Sequence, residues 1–130
     1  MHQVTSAHGK LGEDLAARYL QTEKRFRVVE RNWRNPYDQR EELDIVAWDE
    51  DVLVIVEVKT RHKSALVPGY FHVDKAKREV LRRTVRAYLK SLHLKPNTLR
   101  FEVIEVEVGE GEPEVRHYSP VPLFGDHVIL

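Results

Sequence analysis

Five consecutive apolar residues, Val52-Leu53-Val54-Ile55-Val56, set the strongest limit on how this chain can fold. Successive side chains of a strand point to opposite faces, so an unbroken apolar run reads as a strand buried on both, central in its sheet. With Glu57-Val58-Lys59 it gives an expected strand from Val52 to Lys59. Leu43 to Trp48 reads as the preceding strand, and Trp48-Asp49-Glu50-Asp51 as the turn joining the two in a hairpin. Phe26 to Asn32 forms a first strand, broken by Asn35-Pro36-Tyr37-Asp38. Leu99 to Val108 alternates apolar with acidic residues, as a half-exposed strand does, and Glu114 to Tyr118 adds an edge strand before a proline-bearing tail.

Two helices complete the pattern. Thr5 or Ser6 can cap a helix from about Gly9 to Lys24, with Leu11, Leu15 and Tyr19 in one row and Ala16 and Leu20 extending it. Glu13 lies at the edge of that stripe, where it could point along the sheet. Val73 to Leu92 keeps helical spacing throughout, with Arg78, Arg82, Arg83, Arg86 and Lys90 off the apolar stripe. The order helix, three strands, helix, strand, edge strand predicts an α/β fold: a mixed sheet flanked by helices. One domain over residues 1–130 is expected, with its core at about 9–108 and a C-terminal tail at 109–130.

Hydrophobic residues at 42% and charged residues at 32% fit a globular chain rather than a disordered one. No apolar run approaches the roughly 20 residues of a membrane helix, and Met1 to Ser6 lacks the apolar core of a signal peptide. With no cysteine, disulfides and thiolate metal sites are excluded, and a reducing cytoplasm is the simplest setting. The net charge of +0 hides a segregation. Lys59 to Arg100 holds twelve basic residues against Asp74 and Glu79, a net of +10; the other segments hold nine basic and nineteen acidic residues, a net of −10. Such a split points to an anionic partner, or else to a solvated basic helix beside acidic neighbours.

The chemistry concentrates in Glu42-Leu43-Asp44 and Val56-Glu57-Val58-Lys59-Thr60-Arg61. Glu57 and Lys59 share a strand face, and Asp44 joins them if the hairpin pairs it with Ile55 or Glu57; a slip of one residue sends it to the other side. In those registers the two carboxylates sit roughly 5 to 8 Å apart between β-carbons, close enough for one hard cation to bridge. Mg²⁺ or Mn²⁺ favours such oxygen ligands, polarises a phosphodiester oxygen and activates a water, while Lys59 serves that water or the developing charge. Alone, D…ExK is a pattern that surface charges at strand ends also produce. Here it ends an apolar strand and opens the basic segment.

Several motifs together are more specific. Gly9-Lys10-Leu11-Gly12-Glu13, Asn32, Glu42-Leu43-Asp44-Ile45-Val46, Val56 to Arg61, Val73, Lys77 and Arg100-Phe101-Glu102-Val103 follow one another at nearly collinear spacing from Gly9 to Val108. In these the chain resembles the YraN-like family of predicted endonucleases, a branch of the PD-(D/E)xK superfamily related to Holliday junction resolvases. The resemblance implies a restriction-endonuclease-like fold, metal binding by Asp44 and Glu57, completion of the core by Lys59, and an auxiliary ligand in Glu13. It departs from the family in Glu41, where Gly is usual, and in Glu102, where Asp is usual.

The expected function is therefore a Mg²⁺- or Mn²⁺-dependent endonuclease. The resemblance makes branched or structured DNA its substrate, and a homodimer follows from the two symmetric cuts a junction needs. Arg61, Lys63, Lys77, Arg78 and Arg82 are the expected nucleic-acid contacts, and His62, Tyr70, Phe71 and His72 stand in a loop able to stack on bases or to pack on its own domain. The main alternative is a nucleic-acid-binding or adaptor protein that keeps the fold and cuts nothing. A protein-interaction module with a basic helix for an acidic partner is a third reading. The seven histidines lack HxH or HExxH spacing, and Trp33 and Trp48 read as packing residues.

Overall fold

A computed structural model describes residues 6–63 and 75–123. Seven elements follow in order: α1 (Ser6–Thr22), β1 (Arg27–Asn35), β2 (Asp38–Asp49), β3 (Val52–His62), α2 (Lys75–Lys90), β4 (Thr98–Val108) and β5 (Glu114–Tyr118). The five strands form one sheet in the order β1-β2-β3-β4-β5. The β1–β2, β2–β3 and β4–β5 pairs are antiparallel, and the segment carrying α2 returns the chain so that β4 lies parallel to β3. The fold is thus α/β, a mixed sheet with two helices, consistent with a restriction-endonuclease-like architecture.

The apolar run of β3 behaves as its pattern requires. Leu53 and Ile55 join a core with Leu81, Val85 and Tyr88 of α2, while Val54 and Val56 join a core with Ala16, Ala17 and Leu20 of α1. Four of its five residues, Leu53 to Val56, are buried, which places β3 at the centre. Burial at about 25 cal/mol per Å² on both faces makes this strand the principal anchor of the sheet.

Several boundaries differ from the sequence pattern, each for a local reason. α1 stops at Thr22 rather than Lys24: Arg25 takes a left-handed conformation (φ 60°), which ends the helix, and the Phe26 amide donates to the Leu20 carbonyl. Leu11 is left exposed, and the buried stripe centres on Ala16 and Leu20. β1 and β2 both extend to the Pro36-Tyr37 turn, and β3 continues through Arg61 and His62, which the pattern assigned to a loop. Val80 of α2 is exposed. Trp33 and Trp48 pack half-buried against the α2 core. The expected contributions of Thr5, Tyr70, Phe71, His72 and Val73 lie outside the described residues. Among the described residues no helix is long and apolar enough to cross a membrane.

Candidate functional site

The sheet forks where the functional motifs meet. The β2–β3 ladder runs from Asp49↔Val52 to Ile45↔Val56, a register that sets Asp44 across from Glu57. Beyond that point β2 stays with β1 (Trp33↔Leu43), and β3 stays with β4 as far as His62↔Val108. A side chain bridges the fork: the Val58 amide donates to Asp44 Oδ2 at 2.8 Å. Opposite Asp44 in the β1–β2 register stands Asn32, whose left-handed backbone (φ 55°) breaks strand alternation. Beside it on β2, Ile45 packs on the α1 face while Leu43, two residues away, packs on the α2 face. Asp44 occupies the switch between them.

Helix α1 closes one side of the fork. A β-carbon at Gly12 would lie 1.9 Å from Thr60 Oγ1 and 3.0 Å from Thr60 Cβ, so only glycine lets α1 approach β3 this closely. That approach carries Glu13 to the fork. Glu13, Glu42 and Asp44 each present a carboxylate oxygen within 4.8 Å of the others, all half-buried. Burial above all, then Glu57, with Glu13 and Glu42 adding, pushes the Asp44 carboxyl up to about 8 against the Val58 hydrogen bond. Arg34 offsets part of the acidity through an ion pair with Glu42 at 2.8 Å.

Glu57 lies outside this group of three. It is near enough to Asp44 to raise its proton affinity, and it pairs with Lys77 of α2 at 3.0 Å. Burial works against the Lys77 charge, but Glu57 outweighs it and holds the ammonium above its ordinary range. Lys59 is pushed down, by partial desolvation and then by the charge of Lys77, with Glu57 and Asp44 opposing. Glu57, Lys59 and Lys77 are therefore one electrostatic unit beside Asp44.

The other predicted contacts scatter. Lys63 donates to the Glu110 and Glu112 carbonyls; Arg82 pairs with Glu79 and donates to the Leu123 carbonyl at 2.7 Å. Arg61 and Arg78 are half-buried. Further cations come from α1 and β1: Arg34 pairs with Glu42, while Lys10 and Arg31 both pair with Asp14, at 3.3 and 2.7 Å. Lys10, Arg31 and Arg34 line a cleft of about 630 Å³ together with Glu13 and Asn32. Glu42 and these three cations were not assigned roles from sequence. For Glu42 the signal was present, since it stands two residues from Asp44 on a strand; for the cations no local pattern exists, because they lie outside the +10 segment.

The chain matches the family model described as "Uncharacterised protein family UPF0102" over residues 12–106. It is 41% identical over 114 residues to a UPF0102 protein of Arthrobacter sp. (strain FB24), covering 87% of this chain and 93% of that protein. A UPF0102 protein of Solibacter usitatus (strain Ellin6076) is 39% identical over 99 residues, 76% of this chain and 74% of the relative. One of Rhodococcus opacus (strain B4) is 37% identical over 112 residues, 85% and 92% of the two chains.

Proposed function

The chain belongs to the UPF0102 family, and from its forked sheet we propose that it is a metal-dependent endonuclease hydrolysing phosphodiester bonds, with branched or structured DNA as substrate. The observation that carries this reading is the convergence of Glu13, Glu42 and Asp44 where β2 and β3 separate. Oxygens bound to one octahedral Mg²⁺ at about 2.1 Å lie roughly 3 to 4 Å apart, so oxygens within 4.8 Å need only small rotations to share it. All three donors are hard carboxylates, which fits Mg²⁺ or Mn²⁺. Such a cation would polarise a phosphodiester oxygen and lower the pKa of a bound water.

The chain's own groups supply the rest. Asp44, Glu13 and Glu42 hold the cation, and Glu57 stands beside Asp44 as the further ligand that the family resemblance implies. Lys59 directs an ammonium at the attacking water or at the charge developing on phosphate. Lys10, Arg31 and Arg34 line the cleft, where a phosphate backbone would compete for them with Asp14 and Glu42. A homodimer is part of the proposal only through its substrate, since a junction requires two symmetric cuts.

The test compares wild type with Asp44→Asn, Glu57→Ala and Lys59→Ala on labelled junction, flap, duplex and single-stranded DNA with Mg²⁺ or Mn²⁺. Metal-dependent cleavage by wild type and its loss in all three variants is expected. Cleavage of nothing by wild type, or undiminished cleavage by the variants, overturns the reading. One observation favours a second reading, a nucleic-acid-binding protein that cuts nothing: Lys77 and Arg34 already pair with Glu57 and Glu42. On that reading binding weakens steeply with salt, while Mg²⁺ changes nothing.

A further inference from the structure

A second cleft, of about 730 Å³, opens between the β1–β2 turn and α2, lined in part by Trp33, Tyr37, Glu41, Arg83, Arg86 and Lys90. Its features belong to no part of the acidic site. Tyr37 is 96% exposed, so its ring contributes almost nothing to the fold. The backbone beneath that ring is nonetheless fixed. Asn35 is buried, accepts from the Tyr37 amide at 3.0 Å and donates to Glu41 at 3.0 Å, and Pro36 restricts the turn between them. Trp33 is held in turn by an edge-on contact with Tyr88, centroids 5.1 Å apart. The cleft thus carries an exposed ring on a fixed backbone, together with a partly buried aromatic side chain, Trp33, in its lining.

Its charge selects the ligand. Its one carboxylate, Glu41, accepts from Asn35 and pairs with Arg83, so the cleft's balance of charge comes from Arg86 and Lys90. An aromatic platform flanked by cations matches a nucleobase with its phosphates. Glu41 also stands three residues before Asp44 on β2, about 10 Å along the strand, or roughly three stacked nucleotides.

We propose that this cleft is a subsite for an unpaired nucleotide of a single-stranded nucleic acid, its base stacked on Tyr37 and its phosphates against Arg86 and Lys90. The inference deepens the nuclease reading, on which it rests for its biological use, by making a single-stranded arm part of the substrate. Duplex DNA cannot offer an unstacked base, so the subsite discriminates in favour of unpaired strands.

Binding needs no cleavage and is measured in chelator, by anisotropy of labelled oligothymidylate and oligouridylate and of a duplex of matched length. Tyr37→Ala is expected to weaken single-strand binding about tenfold, Tyr37→Phe to restore it, and duplex binding to stay within about twofold. Arg86→Ala and Lys90→Ala should each reduce the salt slope by about one. Tighter binding of either sugar type identifies the source of the strand, and both outcomes support the subsite. Single-strand affinity unchanged in Tyr37→Ala, or an equal loss on duplex, overturns it. So does polyglutamate that displaces the oligonucleotide and binds wild type and Tyr37→Ala alike, which would make the cleft a groove for an acidic protein. Wild type and Tyr37→Ala separate the two proposals: single-strand binding that depends on Tyr37 without any cleavage by wild type removes the nuclease reading alone, whereas wild-type cleavage without the Tyr37 effect on binding removes the subsite alone.

Discussion

Replacing Asp44 by Asn should make the metal-free protein more stable at neutral and alkaline pH, although it removes a central acidic group of the site. The Asp44 carboxyl is pushed up to about 8 from an ordinary 3.8, first by burial and then by Glu57, with Glu13 and Glu42 adding. A group whose pKa is raised by folding binds more protons in the folded chain. Its contribution is fully present below 3.8 and is lost as pH rises through about 8. At about 1.4 kcal/mol per pH unit the interval caps the loss at about 6 kcal/mol. Half-burial and solvent relaxation reduce that ceiling, and a loss of ~2 kcal/mol already moves Tm by roughly 8 °C in a domain this size. Asn keeps the shape and still accepts the Val58 amide through its carbonyl oxygen, so the substitution isolates the charge.

The assay is thermal or urea unfolding from pH 4 to pH 9 in chelator, repeated with saturating Mg²⁺ or Mn²⁺. Wild type should lose stability across that range in chelator and regain it with the cation, by about 2.7 kcal/mol at a hundred times Kd. Asp44→Asn should show a flatter profile and a much smaller gain from the cation. Equal pH profiles for the two proteins in chelator, or equal stabilisation of both by the cation, would refute the account of mutually repelling buried carboxylates.

Three further outcomes follow from the same structure. Glu102 is 1% exposed, and although burial alone would raise its pKa, His117, Ser119 and Arg100 together lower it from 4.5 to about 2. Its contribution is present above 4.5 and lost as pH falls toward 2, so Glu102→Gln should cost about 3 kcal/mol in urea unfolding at pH 7 and far less at pH 2. Gly12→Ala should lower stability by about 1 to 3 kcal/mol despite alanine's better helix propensity, and Thr60→Ala should recover most of it; a Gly12→Ala protein that melts at or above wild type would contradict the close approach of α1 to β3. Arg34→Ala frees Glu42 from a partly exposed ion pair and should tighten Mn²⁺ binding a few-fold by calorimetric titration, the scale of about 0.2 to 1 kcal/mol such pairs supply.

Much of the scaffold was legible because burial writes a period into sequence. The Val52–Val56 run located the central strand and β5 spans Glu114–Tyr118 as its pattern required; the alternation of Leu99 to Val108 located β4 but misjudged its exposure, since Glu102 and Glu105 are buried there with the apolar residues. A count of charges does not register which partners the fold gives them, and that is why the basic segment misleads. Arg82 and Lys63 are occupied by Glu79 and by backbone carbonyls, and Arg83 by Glu41, so a count of charges over Lys59 to Arg100 overstates what faces a partner. Glu41 itself, unexpected where the family usually has Gly, is buried and ties β2 to α2 and to the turn.

The acidic site was half legible for a different reason. Alternation correctly limited the hairpin to registers that bring Asp44 to Glu57, but alternation assumes an unbroken strand. The left-handed backbone at Asn32 and the parting of β2 from β3 after Ile45↔Val56 break that assumption beside Asp44 itself. Were β2 regular, Leu43 and Ile45 would share one face and the carboxylate between them would project into the opposite core. The break instead sends Leu43 to the α2 core and Ile45 to the α1 core, and the Asp44 carboxylate remains in the gap, within reach of Glu13 on one side and Glu57 on the other. A site gathered from both faces of a sheet requires a place where the sheet has no continuous surface. The fork is that place, and it is marked by the left-handed Asn32 and the end of the β2–β3 ladder rather than by any pattern of side chains.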